Sequence, residues 1–335
     1  MRYLNIAARF ALVAVLLSGL VLALVSWLSS MPGDSYTGRR PQSEAERLAI
    51  ELELERHVQR LAESIGERNE RQSAALKAAR SYVEQSFLDI GWNCELEEFG
   101  RSGSQLANVV ARAPRSGNGP AIVVAAHYDC APGTPGADAN ASGVAVLLAL
   151  ARVWGTTPSA QQIDFVALAG GAPPLRGTDE MGSRVHARRL RSAGRKVEAV
   201  LVLEGVGSYT RVPGAQRWPL PLRFAGPERG DFAAFVGNLS SRALTQRVVA
   251  AFRAEAQLPS QGIALPALWP GLPERDVASY WREHVPAVWI TDTGVWRNPR
   301  YAGPEDTAER LDYPSMALLV EGLAAALREL AQLRS

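Results

Sequence analysis

Four short apolar runs, each closed by turn residues and separated by helical patterns, constrain this chain more than any other feature. They are Ala121–Ala126 (AIVVAA), Ile163–Ala169 (IDFVALA), Ala199–Leu203 (AVLVL) and Ala287–Thr291 (AVWIT). Such runs are too short for buried helices and read as strands covered on both faces. Helical spacing lies before and between them. Leu54, Val58, Leu61 and Ile65, then Ala79, Val83, Phe87 and Ile90, each mark one buried helix face, and further helices are predicted over Val144–Trp154 and Ser240–Ala256. The order predicts an α/β domain with a central, mostly parallel twisted sheet and helices on both faces.

A second apolar feature stands outside that pattern. Phe10–Leu28 (FALVAVLLSGLVLALVSWL) carries no charge and has the length of a bilayer-crossing helix. Arg2 and Arg9 precede it and Trp27 sits near its far end, which predicts a cytoplasmic stub (residues 1–9), a transmembrane signal anchor (10–28) and an outer domain. A cleaved signal peptide would have a shorter apolar region and a small-x-small cleavage site, and VSWLSSMPG offers none. Residues 29–42 (SSMPGDSYTGRRPQ) read as a polar linker, and residues 43–335 as one large domain. The expected location is the inner membrane of a bacterial cell, single-pass, with the C-terminal domain in the periplasm.

A formal charge of +2 excludes nucleic acid as the expected partner. Arg184, Arg188, Arg189, Arg191, Arg195 and Lys196 are read as a solvated helix face. Cys94 and Cys130 would lie in an oxidising compartment, where a bridge is chemically allowed, but separate small buried residues are the expectation.

In open sheets of this kind, ligands bind beyond the carboxyl ends of the strands. Those ends carry His127-Tyr128-Asp129, Gly170-Gly171-Ala172-Pro173-Pro174, Glu204, and the loop from Arg297 to Thr307. A His two residues before an Asp suits a metal ligand whose other ring nitrogen is oriented by a carboxylate, although taken alone it is more often an ordinary hydrogen-bonded loop pair.

The stretch AAHYDCAPGTPGADANASGVAVLLALAR (Ala125–Arg152) closely resembles the first metal-binding segment of the two-zinc aminopeptidases of the bacterial leucyl aminopeptidase type, metallopeptidase family twenty-eight. The resemblance continues through IDFVALAGGAPPLRGTDEMGSRVHARRL, RGDFAAFVGNLSSRAL and VPAVWITDTGVWRNPRYAGPEDTAERLDY, and spans roughly Leu54 to Leu330. It implies that family's fold. It also implies a site in which His127 and Glu204 match ligands of one metal, with Asp129 behind His127. The position of the bridging carboxylate is Ala139, the general-base position is Gly171, and the ligands of the other metal fall at Ala172 and Ala302.

Methyl groups and hydrogens do not bind zinc, and a catalytic zinc site needs about three protein ligands. The chain is therefore expected to be a degenerate member: a binding or scaffold pseudoenzyme that takes a peptide end or an envelope protein in a cleft widened by the small residues. No zinc is expected at full occupancy, and weak binding of a single ion is the most the remnant allows. The alternative is an active zinc aminopeptidase with a rebuilt site on His127, Glu204 and Asp138, although Asp138 is expected to point away. Asp179 and Glu180 are assigned to a loop or helix start, His57, His186 and His284 to non-ligand roles, and Asp276, Asp292 and Asp306 to the rim of the cleft.

Overall fold

A computed structural model describes residues 2–100, 106–220, 222–224 and 226–332, the side chains of residues 2–11, 14 and 224 aside. Met1 of the expected stub and residues 333–335 lie outside it. Its centre is a mixed eight-stranded sheet. In chain order the strands are β1 (Cys94–Phe99), β2 (Leu106–Arg112), β3 (Ala121–His127), β4 (Gln162–Leu168), β5 (Val197–Leu203), β6 (Ala233–Asn238), β7 (Ser260–Leu265) and β8 (Ala287–Thr291). They lie side by side as β1-β2-β4-β3-β5-β8-β6-β7.

The four strands expected from the sequence, β3, β4, β5 and β8, form the parallel centre. The outer pairs differ from expectation: β1, β2 and β4 run antiparallel in succession, and β6 lies antiparallel to β8 before β7 pairs parallel to it. Outer strands need burial on one face only, so β1 (CELEEF) can carry Glu95, Glu97 and Glu98 and lacks the continuous apolar signal of the centre.

Strand periodicity divides the interior into two layers. Ile122, Val124 and Ala126 of β3 join the larger core with α2 (Ala45–Gln59), α3 (Ser73–Asp89), α4 (Ser142–Trp154), α6 (Arg242–Glu255) and α8 (Tyr313–Leu330). Ala121, Val123 and Ala125 face the smaller one, formed with α5 (Gly182–Ser192) and α7 (Asp276–Arg282). Helices thus cover both faces, as expected. On α5 the arginines divide: Arg188, Arg189 and Arg191 are exposed, but Arg184 is buried, because its position shares the inward helix face with Ser183 and Ala187. Cys94 and Cys130 are both free thiols.

The first helix, α1 (Arg2–Ser29), stands apart. Every described side chain from Leu12 to Leu24 is exposed, and only Val25 and Leu28 are buried. Among the described residues, whose side chains in α1 begin at Leu12, no helix is long and apolar enough to cross a membrane. The expected span starts at Phe10, so part of it lies outside the described side chains. The segment after α1 has no regular structure before α2 but is tied to the domain. Arg253 donates to the carbonyls of Met31, Pro32 and Gly33, the Ser35 hydroxyl accepts from the Ser260 amide, and Arg40 pairs with Asp312.

Candidate active-site remnant

The parallel order β4-β3-β5-β8 places four carboxyl ends next to one another, and the loops leaving them meet there. Asn140 stitches two of these ends together: its amide donates to the carbonyls of His127 and Leu203, and its oxygen accepts from the Gly205 amide. Asp129 accepts from the amides of Gly171 and Ala172, which fixes the loop after β4. Asp306 accepts from the amides of Asp138, Ala139 and Ala302, joining the loop after β3 to the one after β8. These acceptors satisfy buried backbone donors that no strand or helix serves. They keep the loop geometry independently of any metal.

Within that frame, His127, Glu204 and Asp276 converge. One donor atom from each lies within 4.8 Å of the others, and all three residues are buried. The ring Nδ1 of His127 lies 3.0 Å from the Asp129 carbonyl oxygen and 3.3 Å from its carboxylate, so Asp129 holds the ring from behind, through its backbone more closely than through the carboxylate the sequence reading invokes. Burial alone would lower the His127 pKa, but Asp129, Asp276 and Glu204 outweigh it and raise it. His127 Nε2, Glu204 Oε2 and both Asp276 oxygens have no hydrogen-bond partner. Asp276 was expected at the rim. It is 1% exposed because it opens α7, whose first turn packs under the loop after β4.

Glu204 has partners that the sequence reading did not include. Its Oε1 accepts from Arg275 at 2.5 Å and from Arg176 at 3.0 Å, while Arg176 also holds the Gly171 carbonyl. Burial would raise the Glu204 pKa, yet Arg275 and Arg176 overcome it and hold the carboxyl at about 2. Two guanidinium groups therefore sit on the carboxylate where a cation would be expected. The signal was present in PPLRG and PERD, since each arginine lies in a loop at the strand ends, but their convergence needs the fold.

Asp138 does not join this cluster. Its carboxylate accepts from the Gly207 amide and from Asn298, and it faces Asp292. Burial and the Asp292 charge push Asp138 well above the ordinary range, and burial also raises Asp292, so the two facing carboxyls each resist ionising. His57 bonds Tyr82 and His186 bonds Tyr280, both away from the cluster, and His284 is exposed. Asp179 pairs with Arg188 on the surface.

The donor set does not fit a two-zinc centre. Ala139, Ala172 and Ala302 supply no donor, and the small residues have not left a widened cleft, since Ala139 and Ala172 are 3% and 2% exposed. A β-carbon added at Gly171 would stand 2.5 Å from His127 Cβ and 2.8 Å from Asp276 Oδ2. What the residues could accommodate is a single cation on His127, Glu204 and Asp276, in competition with the two arginines.

A mixed eight-stranded sheet with helices on both faces and a loop cluster of this kind is the architecture of zinc aminopeptidases. The LapA aminopeptidase of Legionella pneumophila matches with a TM-score of 0.65 over 90% of this chain and 77% of its own, at 19% identity. BSAP, a zinc aminopeptidase from Bacillus subtilis, matches with a TM-score of 0.61 over 87% and 96%, at 14% identity. The pattern of peptidase family M28 covers residues 108–327, and the chain belongs to that family. YfbL of Escherichia coli (strain K12) is 33% identical over 332 residues, covering 96% of this chain and 98% of its own.

Proposed function

We propose that this protein is a membrane-anchored, extracytoplasmic member of peptidase family M28 that has given up two-zinc aminopeptidase chemistry and acts by binding at the membrane. The observation that carries this reading is the capture of Glu204 by Arg275 and Arg176. The two guanidinium groups meet the Glu204 carboxylate directly, and the carboxylates around His127 favour its charged form, so this buried acidic cluster finds cations within the protein without a metal. The general-base position, Gly171, has no room for a side chain, and loss of a general base alone costs a factor of about 10²–10⁴. The anchor is supported by the sequence of residues 10–28 and by the ring of exposed apolar side chains on α1, which water does not favour.

A second reading keeps one metal. Its support is the set of unpartnered atoms on His127, Glu204 and Asp276, which an ion could satisfy. Elemental analysis of the detergent-purified full chain, after dialysis against trace zinc, separates the two, together with a chelator-controlled assay on aminoacyl substrates. The pseudoenzyme reading expects well under one zinc per chain and no chelator-sensitive cleavage. Two tightly held ions, or cleavage abolished by Glu204→Ala, would overturn it.

A further inference from the structure

Beside the remnant lies an apolar cleft of about 250 Å³ whose walls come from two sources. The sheet face of β6, β7 and β8 supplies Ala234, Ile263 and Trp289, and the last turns of α1 supply Val25 and Ser29. Trp218 and Trp269 close its sides. Its exposed lining is apolar too: Leu220 is 67% exposed and Trp296 42%.

Two features narrow the occupant. Arg275 is the one charged side chain among those described as lining the cleft, and its charge is spent on Glu204 while its guanidinium lies 5.1 Å from the Trp289 ring centroid. Among the described lining residues there is no carboxylate to receive the ammonium of a peptide end, so the cleft suits an uncharged apolar chain. Its position then decides which one. α1 enters the cleft wall at Val25, about 6 Å along the helix from Ser29, and the exposed apolar residues of the same helix begin one residue earlier, at Leu24. If residues 10–28 span the bilayer, the mouth of the cleft lies at the outer interface, where tryptophans settle. The domain cannot swing away freely, because Arg253 and Ser260 hold residues 31–35, and Arg242 holds the Trp27 carbonyl while stacking on its ring.

We propose that this cleft takes an acyl chain of an outer-leaflet phospholipid, which enters between α1 and the exposed Leu220 and Trp296 and lies along Trp289. The proposal rests on the membrane-anchored reading above. It is tested with the full chain in vesicles of phosphatidylethanolamine and phosphatidylglycerol doped with a phosphatidylcholine bearing a diazirine on one acyl chain. After irradiation, adducts are mapped by mass spectrometry. Adducts are expected on Trp218, Trp269 or Trp289 as well as on α1. Ala234→Phe, which fills the cleft, should lower the cleft adducts at least five-fold and leave those on α1 unchanged. Leu220→Asp, a change at a lining position that is 67% exposed, should lower them in the same way. Adducts on α1 alone would overturn the acyl site and leave the anchor standing, whereas none on either would overturn both. Displacement of the cleft adducts by an apolar peptide at a lower concentration than competing phospholipid would reassign the cleft to peptide and refute the proposal.

Discussion

Replacing Glu204 with Gln keeps the shape of the side chain and removes the charge that Arg275 and Arg176 share. Glu204 is 1% exposed and both guanidinium groups are partly buried against it, so the variant leaves two cations facing a neutral amide. Removing one partner of a buried ion pair costs about 3–5 kcal/mol. The pKa gives a similar figure: a fall from 4.5 to about 2 corresponds to about 3 kcal/mol of preference for the charged form. Because the folded-state value is depressed, this stability is fully present above about pH 4.5 and is lost as the pH falls towards 2. Urea unfolding at pH 7 should therefore show Glu204→Gln less stable by about 3–5 kcal/mol, with the gap closing under acid conditions. The wild-type midpoint should not move with chelator or with added zinc, since an ion bound only to the folded state would shift it. A loss below about 1 kcal/mol, against the expected range, or a chelator-sensitive wild-type midpoint, would refute the view that arginines have taken the place of metal.

Further outcomes follow from the same geometry. Gly171→Glu alone should destabilise the domain by about 1–3 kcal/mol, because its β-carbon would collide with His127, and should bring no peptidase activity in a chromogenic aminopeptidase assay. Adding Ala139→Asp, Ala172→Glu and Ala302→His should raise zinc content only if Arg275→Ser is introduced as well, which elemental analysis would show. Asp138→Asn should flatten the stability profile above about pH 4, the ordinary aspartate value, read by urea melts from acid to neutral pH. The raised pKa of Asp138 means that the wild type loses stability as the pH climbs through it, and the amide cannot ionise. Leu16→Arg with Leu20→Arg, on the exposed part of α1, should release the chain from membranes under alkaline carbonate extraction while leaving the circular dichroism of the outer domain intact.

The sequence by itself determined the centre of this protein. The apolar runs of β3, β4, β5 and β8 are legible because a strand buried on both faces must be apolar throughout, and the ordered motifs from Ala125 onward tie them to one family. That Ala139, Gly171, Ala172 and Ala302, the positions where the resemblance places ligands and a base, carry no donor is equally a matter of residue identity. The antiparallel flanks were not legible in β1, where half-burial allows charge and dilutes the apolar signal. Only the tertiary structure decided what stands in the site now. Arg176, Glu204, Arg275 and Asp276 come from three separate stretches of chain, and a buried carboxylate takes whichever cations the fold brings within hydrogen-bond reach, a distance that spacing along the chain does not encode. The same holds for α1. Its apolar composition is written in the sequence, but only packing shows that its last turn ends against an apolar cleft of the domain.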